Sequence, residues 1–338
     1  MPHPTHIVNS TFRVDHLDTA PLHGRMRDTP TQPVDERALR LTAIGLMVAA
    51  IACFSVLDTT AKYLSTLAAV PVLQVIWVRF AGHTALSLAY FGPRVFMASL
   101  RSAKPLHQVL RGLFMMGATG FNFAALQYLQ LDEVGTIFFL TPFIVAVLAG
   151  PLLGEWVGWR RFIAICVGFS GVILVLRPGF GGIHWAVLLS FAATISYALY
   201  NISTRYLARF DSSTTTQVYT PLTGLVLFAP FAVWAWEPGQ TAATWVMMLS
   251  LGVSGGLGHY LLILAHSRAP APVLAPFGYI NLLFMIILGF LVFGDVPNVW
   301  TLAGAAIIMS SGAYLLWRER QTGRSSASAE PASTARSG

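Results

Sequence analysis

Two polar stripes interrupt the first apolar stretches of this 338-residue chain. Ser55, Asp58 and Lys62 fall at i−3, i and i+4, so on a helix they share one face. Arg79, His83 and Ser87 follow at i, i+4 and i+8 in the next stretch. A carboxylate, a guanidinium and an imidazole can hold a polar solute, carry a proton, or lock two helices together. From the rise per residue, Asp58 lies roughly 9 Å and Arg79 roughly 12 Å from the outer ends of their helices. An Asp58–Arg79 pair is therefore feasible. Lys62, within about one turn of the surface, is expected to reach out to the interface. An unpaired charge at such depth in a bilayer costs at least about 3 kcal/mol, so these residues are functional or structural, never incidental.

The elements that position them are apolar. Hydrophobic residues make up 55% of the chain and charged ones 10%, against about 25% charged in a soluble domain. Ten segments have the roughly 20 apolar residues that a bilayer crossing needs: 41–64, 71–92, 108–128, 134–153, 158–177, 184–207, 214–236, 242–264, 271–293 and 298–317. Turn residues such as Gly92-Pro93 and Pro238-Gly239 separate them. Residues 1–40 and 319–338 are polar tails expected to be disordered and cytoplasmic.

Nine Lys and Arg fall in segments that are inside if the N-terminus is cytoplasmic, Arg111 among them. Nine more Arg lie in the tails, and Arg177 alone lies in an outside loop. The asymmetry predicts both termini inside and explains the net charge of +7 without nucleic acid. Cys53 and Cys166 lie in apolar runs and are read as small buried side chains, with no disulfide or metal site expected.

The chain repeats. "DTTAKYL" (58–64) matches "NISTRYL" (201–207), and "PLLGE" (151–155) matches "FLVFGD" (290–295). Five segments per repeat is an odd number, so the second copy enters the membrane inverted, as in secondary transporters. The expected fold is all-α integral membrane, ten transmembrane helices as two inverted five-helix repeats, residues 41–177 and 184–318.

These features, with "LLGE" and "VFGD" closing the fourth segment of each repeat and "FIAICVGFSGVILVLRP" and "TLAGAAIIMSSGAYLLW" following, resemble the EamA-type drug/metabolite transporters. The resemblance implies a bacterial inner-membrane carrier of a small organic metabolite, with no cofactor, no nucleic acid and no ATPase subunit. Members move amino acids, vitamins such as riboflavin, S-adenosylmethionine and other organics. Riboflavin-like vitamin uptake is the first expectation, and amino-acid or S-adenosylmethionine transport or export the alternative. A homodimer is compatible with the pattern. A membrane-embedded group transferase is the other class, but the acid pair Asp132-Glu133 stands without the further acids that metal-diphosphate chemistry needs.

Candidate substrate or coupling residues are Asp58, Arg79, His83, Asn122, Tyr128, Tyr197, Asn201, His259, Tyr279 and Asn281. Amides and aromatic rings spread over both repeats suit a planar solute with polar edges. Candidate gating residues are Pro142, Glu155, Pro276 and Asp295. A proline inside a helix frees a carbonyl, which a membrane tolerates where a cavity or a neighbour satisfies it. Gly252 and Gly256 in "GVSGGLG" are read as a close helix contact rather than a phosphate loop.

Overall fold

A computed structural model of the chain describes residues 36–153, 159–176, 184–269 and 271–327. Among these residues there is helix and no strand. Helices α1 (Glu36–Thr66), α2 (Val72–Ser99) and α3 (Pro105–Leu126) come first, then two short helices, α4 (Leu131–Phe138) and α5 (Thr141–Leu153). After α6 (Trp159–Leu176) come α7 (Ala186–Leu207), α8 (Ser213–Trp234) and α9 (Ala242–Arg268). One turn of α10 (Ala271–Leu274) and a 3-10 turn (Ala275–Tyr279) lead into α11 (Ile280–Phe293), and α12 (Val299–Ala327) closes the order. Seven helices among the described residues are long and apolar enough to cross a bilayer, with Leu131–Leu148 counted as one. Three shorter apolar helices, Phe162–Val175, Phe277–Phe293 and Val299–Tyr314, accompany them.

Local chemistry sets the ends. Ser212 and Thr241 accept hydrogen bonds from the backbone N–H groups of Thr215 and Thr244, capping α8 and α9. Gly294 ends α11 with φ of 72°, a left-handed geometry that glycine takes without strain. The break between α4 and α5 falls at Phe139–Leu140, just before Pro142. Proline fits the first turn of a restarting helix, and the Thr141 hydroxyl donates to the carbonyl of Phe138 at 2.7 Å. The freed backbone group is thus satisfied within the fold.

Two expectations need correcting here. The second segment does break at Gly92 (φ 73°), but no loop follows: helix resumes from Pro93 to Ser99. Cys53 is half-buried and Cys166 exposed, so neither is a fully buried side chain.

The helices pack α1 on α9, α3 on α7, α6 on α12, α2 on α8 and α9, α3 on α8, α1 on α11 and α5 on α7. Small residues allow the closest approaches, as expected for Gly252. A Cβ there would stand 2.5 Å from Gly82 Cα in α2. Gly171 and Gly304 meet in the same way between α6 and α12. Large apolar side chains such as Leu188, Val233, Trp234 and Leu291 are mostly exposed, a surface suited to lipid rather than to water.

Candidate functional site

Asp58 sits in the C-terminal half of α1, and its Oδ1 accepts a hydrogen bond from the Asn122 amide in α3 at 3.0 Å. One turn earlier, the Ser55 hydroxyl donates to Asn281 Oδ1 in α11 at 2.8 Å. The helical spacing read from the sequence thus places one face of α1 against polar groups from both halves of the chain.

Arg79 in α2 is 7% exposed. One NH group donates to the Thr119 hydroxyl of α3, and the guanidinium lies over the rings of Phe80 and Phe123, 5.3 and 5.5 Å from their centroids. Its Nε is buried without a hydrogen-bond partner. Asp58 and Arg79 do not close the ion pair that their depths made feasible. Asn122 engages the carboxylate and Thr119 the guanidinium instead.

His83, one turn beyond Arg79, stacks on His259 of α9, with ring centroids 5.8 Å apart and planes 11° apart. Phe54 meets His259 edge-on at 5.0 Å. Asp58, Arg79, His83, Asn122, His259 and Asn281 therefore belong to one contiguous assembly across α1, α2, α3, α9 and α11.

Tyr197 and Tyr200 of α7 stack at 5.8 Å beside Phe138 of α4. Asn201 donates to the carbonyl of Tyr197 in its own helix at 2.8 Å. The hydroxyl of Tyr200 accepts from Arg111 at 2.6 Å. Arg111 also donates to Thr204, to Thr220 and to the carbonyl of Thr216, and it is 3% exposed. The sequence reading placed Arg111 in a cytoplasmic segment. The structure places it inside the helix assembly, where it joins α3 to α7 and α8. The readable signal was its period: Arg111, Met115, Ala118 and Asn122 form one stripe along α3, all buried.

The remaining candidates stand elsewhere. Tyr128 is 52% exposed, stacks on His184 and meets the Trp185 ring at a tilt of 59°. Tyr279 lies against Phe139 and points its hydroxyl at Gly312 of α12. Pro142 is exposed in the first turn of α5, and Pro276 lies in the 3-10 turn before α11. Glu155 lies outside the described residues.

Asp295 pairs with Lys62 at 3.0 Å. Lys62 therefore does not reach out to the interface, as expected from its depth alone. It is 8% exposed and also donates to the carbonyl of Leu129 at 3.1 Å. A carboxylate and a carbonyl within reach outweigh the gain from hydrating the ammonium. At the other end of the molecule, Asp211 in the loop between α7 and α8 accepts from Ser102, the Ala103 N–H and Gln108 at 2.5, 2.8 and 2.8 Å. Burial pushes this carboxyl up, but the three donors outweigh it and hold it below the usual carboxylate range.

Buried, mutually bonded polar groups inside an apolar helical assembly with large apolar side chains on its surface mark a multi-pass membrane protein. The EamA-like transporter family model matches residues 41–177 and 184–317, and the chain belongs to that family. It is similar to a riboflavin transporter of Rhizobium johnstonii, 28% identical over 83% of this chain and 93% of the relative. It is also similar to an S-adenosylmethionine uptake transporter of Rickettsia conorii, 26% identical over 83% and 94%. A solved crystal structure, 19% identical, covers 83% of this chain and 99% of its own with a TM-score of 0.59, and shows the fold alone. The chain is a multi-pass membrane protein that transports a small organic metabolite.

Proposed function

We propose that the chain is a bacterial inner-membrane carrier of a riboflavin-like vitamin, built as ten spans in two inverted five-helix repeats with both termini cytoplasmic. The solute is held by Asp58, Arg79, Asn122, His83, His259 and Asn281, and Lys62–Asp295 closes one end of the path. The observation that carries the site is a buried polar assembly drawn from both halves and held together by amides, hydroxyls and rings.

The inverted repeat is supported by the packing, which maps onto itself when each span is exchanged for the one five places on. Contact α1–α9 becomes α7–α3, α2–α9 becomes α8–α3, and α1–α11 becomes α7–α5, while α2–α8 and α6–α12 return themselves. The Gly82–Gly252 contact has a counterpart in Thr223–Gly112.

Proteoliposomes holding purified protein and no nucleotide test the function. Labelled riboflavin should exchange across the membrane and S-adenosylmethionine should not. Exchange of S-adenosylmethionine alone would replace the vitamin by the alternative solute. Alkaline phosphatase fused after residues 68, 132, 181, 238 or 296 should be active, and inactive after 102, 157, 210 or 268. The reverse pattern would overturn the orientation.

A further inference from the structure

The charges around Arg79 and Arg111 do not balance. Arg79 and Arg111 are both buried. Arg111 takes neutral acceptors only, the hydroxyls of Thr204, Thr220 and Tyr200 and one carbonyl. Asp58 is the carboxylate that shares their neighbourhood, and Asn122 binds one of its oxygens. The other described acids of the spans belong to a different level, with Asp132 and Glu133 at the start of α4 and Asp295 just after α11 beside Lys62.

Arg79 is also under-used. Its Nε donor is buried and unpartnered, and the guanidinium faces Gly255 of α9, where a Cβ would come within 3.6 Å of that nitrogen. A buried charged donor without an acceptor is costly, more so than a neutral one. The two guanidiniums are anchored on α3 at Thr119 and Arg111, eight residues and so roughly 12 Å apart along the helix. Between them the stripe is Met115 and Ala118, which make no demand on a solute's polarity.

We propose that Arg79 is the acceptor-binding point of the site, and that the site selects solutes with a carbonyl or carboxylate edge and rejects cations. This rests on the reading that the solute binds at the Asp58–Arg79 assembly. A planar dione or a carboxylate supplies the missing acceptor to Arg79. A carboxylate also offsets the excess positive charge, whereas an ammonium or sulfonium adds to it where screening is weak. The dione edge of a flavin meets this requirement, and a sulfonium-bearing solute does not.

Thermal unfolding of the full-length protein in detergent tests this with three probes: indole-3-acetate, tryptamine and lumichrome. Indole-3-acetate and lumichrome should raise Tm saturably, and tryptamine at the same concentrations should not. Arg79→Gln should abolish both shifts. Arg79→Lys keeps the charge but loses the fork, and should need about tenfold more indole-3-acetate for the same shift. Stabilisation by tryptamine equal to that by indole-3-acetate would overturn the proposal. So would no shift with any probe, or an Arg79→Gln protein that keeps the wild-type preference. If Arg79→Gln does not fold, the wild-type panel and Arg79→Lys decide. Riboflavin that fails to exchange in liposomes while the acceptor preference persists would remove the vitamin and leave Arg79's role standing.

Discussion

Helices α1 and α7 carry related stretches, "DTTAKYL" and "NISTRYL", yet they use them differently. In α1, Asp58 binds across to Asn122 of α3, and Lys62 crosses to Asp295 and to the carbonyl of Leu129. In α7, Asn201 turns back onto its own helix at Tyr197, while Tyr200 and Thr204 accept from Arg111 of α3. A neutral amide can satisfy itself within one helix; a carboxylate in lipid must find a donor elsewhere. One half therefore supplies the anion and the other the aromatic surface, on similar scaffolds.

The largest effect expected from this contrast is at the α1 pair. Lys62→Met strands Asp295, whose side chain is 22% exposed, and should cost about 3 kcal/mol, near the low end for buried pairs. Thermal unfolding should show the loss, and Lys62→Met with Asp295→Asn should recover most of it. Equal losses in the single and double variants would mean that the ion pair is not what holds this end.

Asp58→Asn comes next. No direct ion pair is broken, so the variant should reach normal abundance while liposome transport falls about tenfold or more, the scale of one charged hydrogen bond. Low abundance instead would make Asp58 a structural residue. The reciprocal change, Asn201→Asp, sets an acceptor against the carbonyl of Tyr197 and should lower stability by up to about 3 kcal/mol, the cost of a carboxylate in lipid without a donor. If it had no effect, α7 would have a donor for a carboxylate and the contrast with α1 would dissolve.

The smallest effect lies at the loop between α7 and α8. Asp211 has its pKa held below the ordinary range, so the folded state binds its proton less readily than the unfolded chain. Its stabilisation is complete above the unfolded value of about 4 and fades as pH falls through the folded value. Asp211→Asn should remove that acid-side slope, measured by unfolding between about pH 3 and 6, by lowering stability at pH 8 toward the value the wild type has in acid.

Much of the fold was legible because lipid demands long apolar runs and helical period, and both are written in the composition. The α1 stripe was legible for the same reason: Ser55 and Asp58 share a face at any helix angle. Lys62 was misjudged because depth alone does not reveal a carboxylate 233 residues away in sequence. Arg111 was misjudged because counting basic residues by segment ignores the face on which each one lies. The helix beyond Gly92 was missed because proline stops a helix from the inside but begins one without penalty.

The Gly82–Gly252 and Gly171–Gly304 contacts have a mechanical consequence. Where backbone lies on backbone, no side chain must change rotamer for one helix to slide or turn on its neighbour, and no interlocked ridges must be lifted past each other. The Gly82–Gly252 seam is the barer of the two, since Val175, Ile307 and Ile308 also press on Gly171 and Gly304. A single methyl at Gly252, 2.5 Å from the opposing backbone, would be grit in the joint.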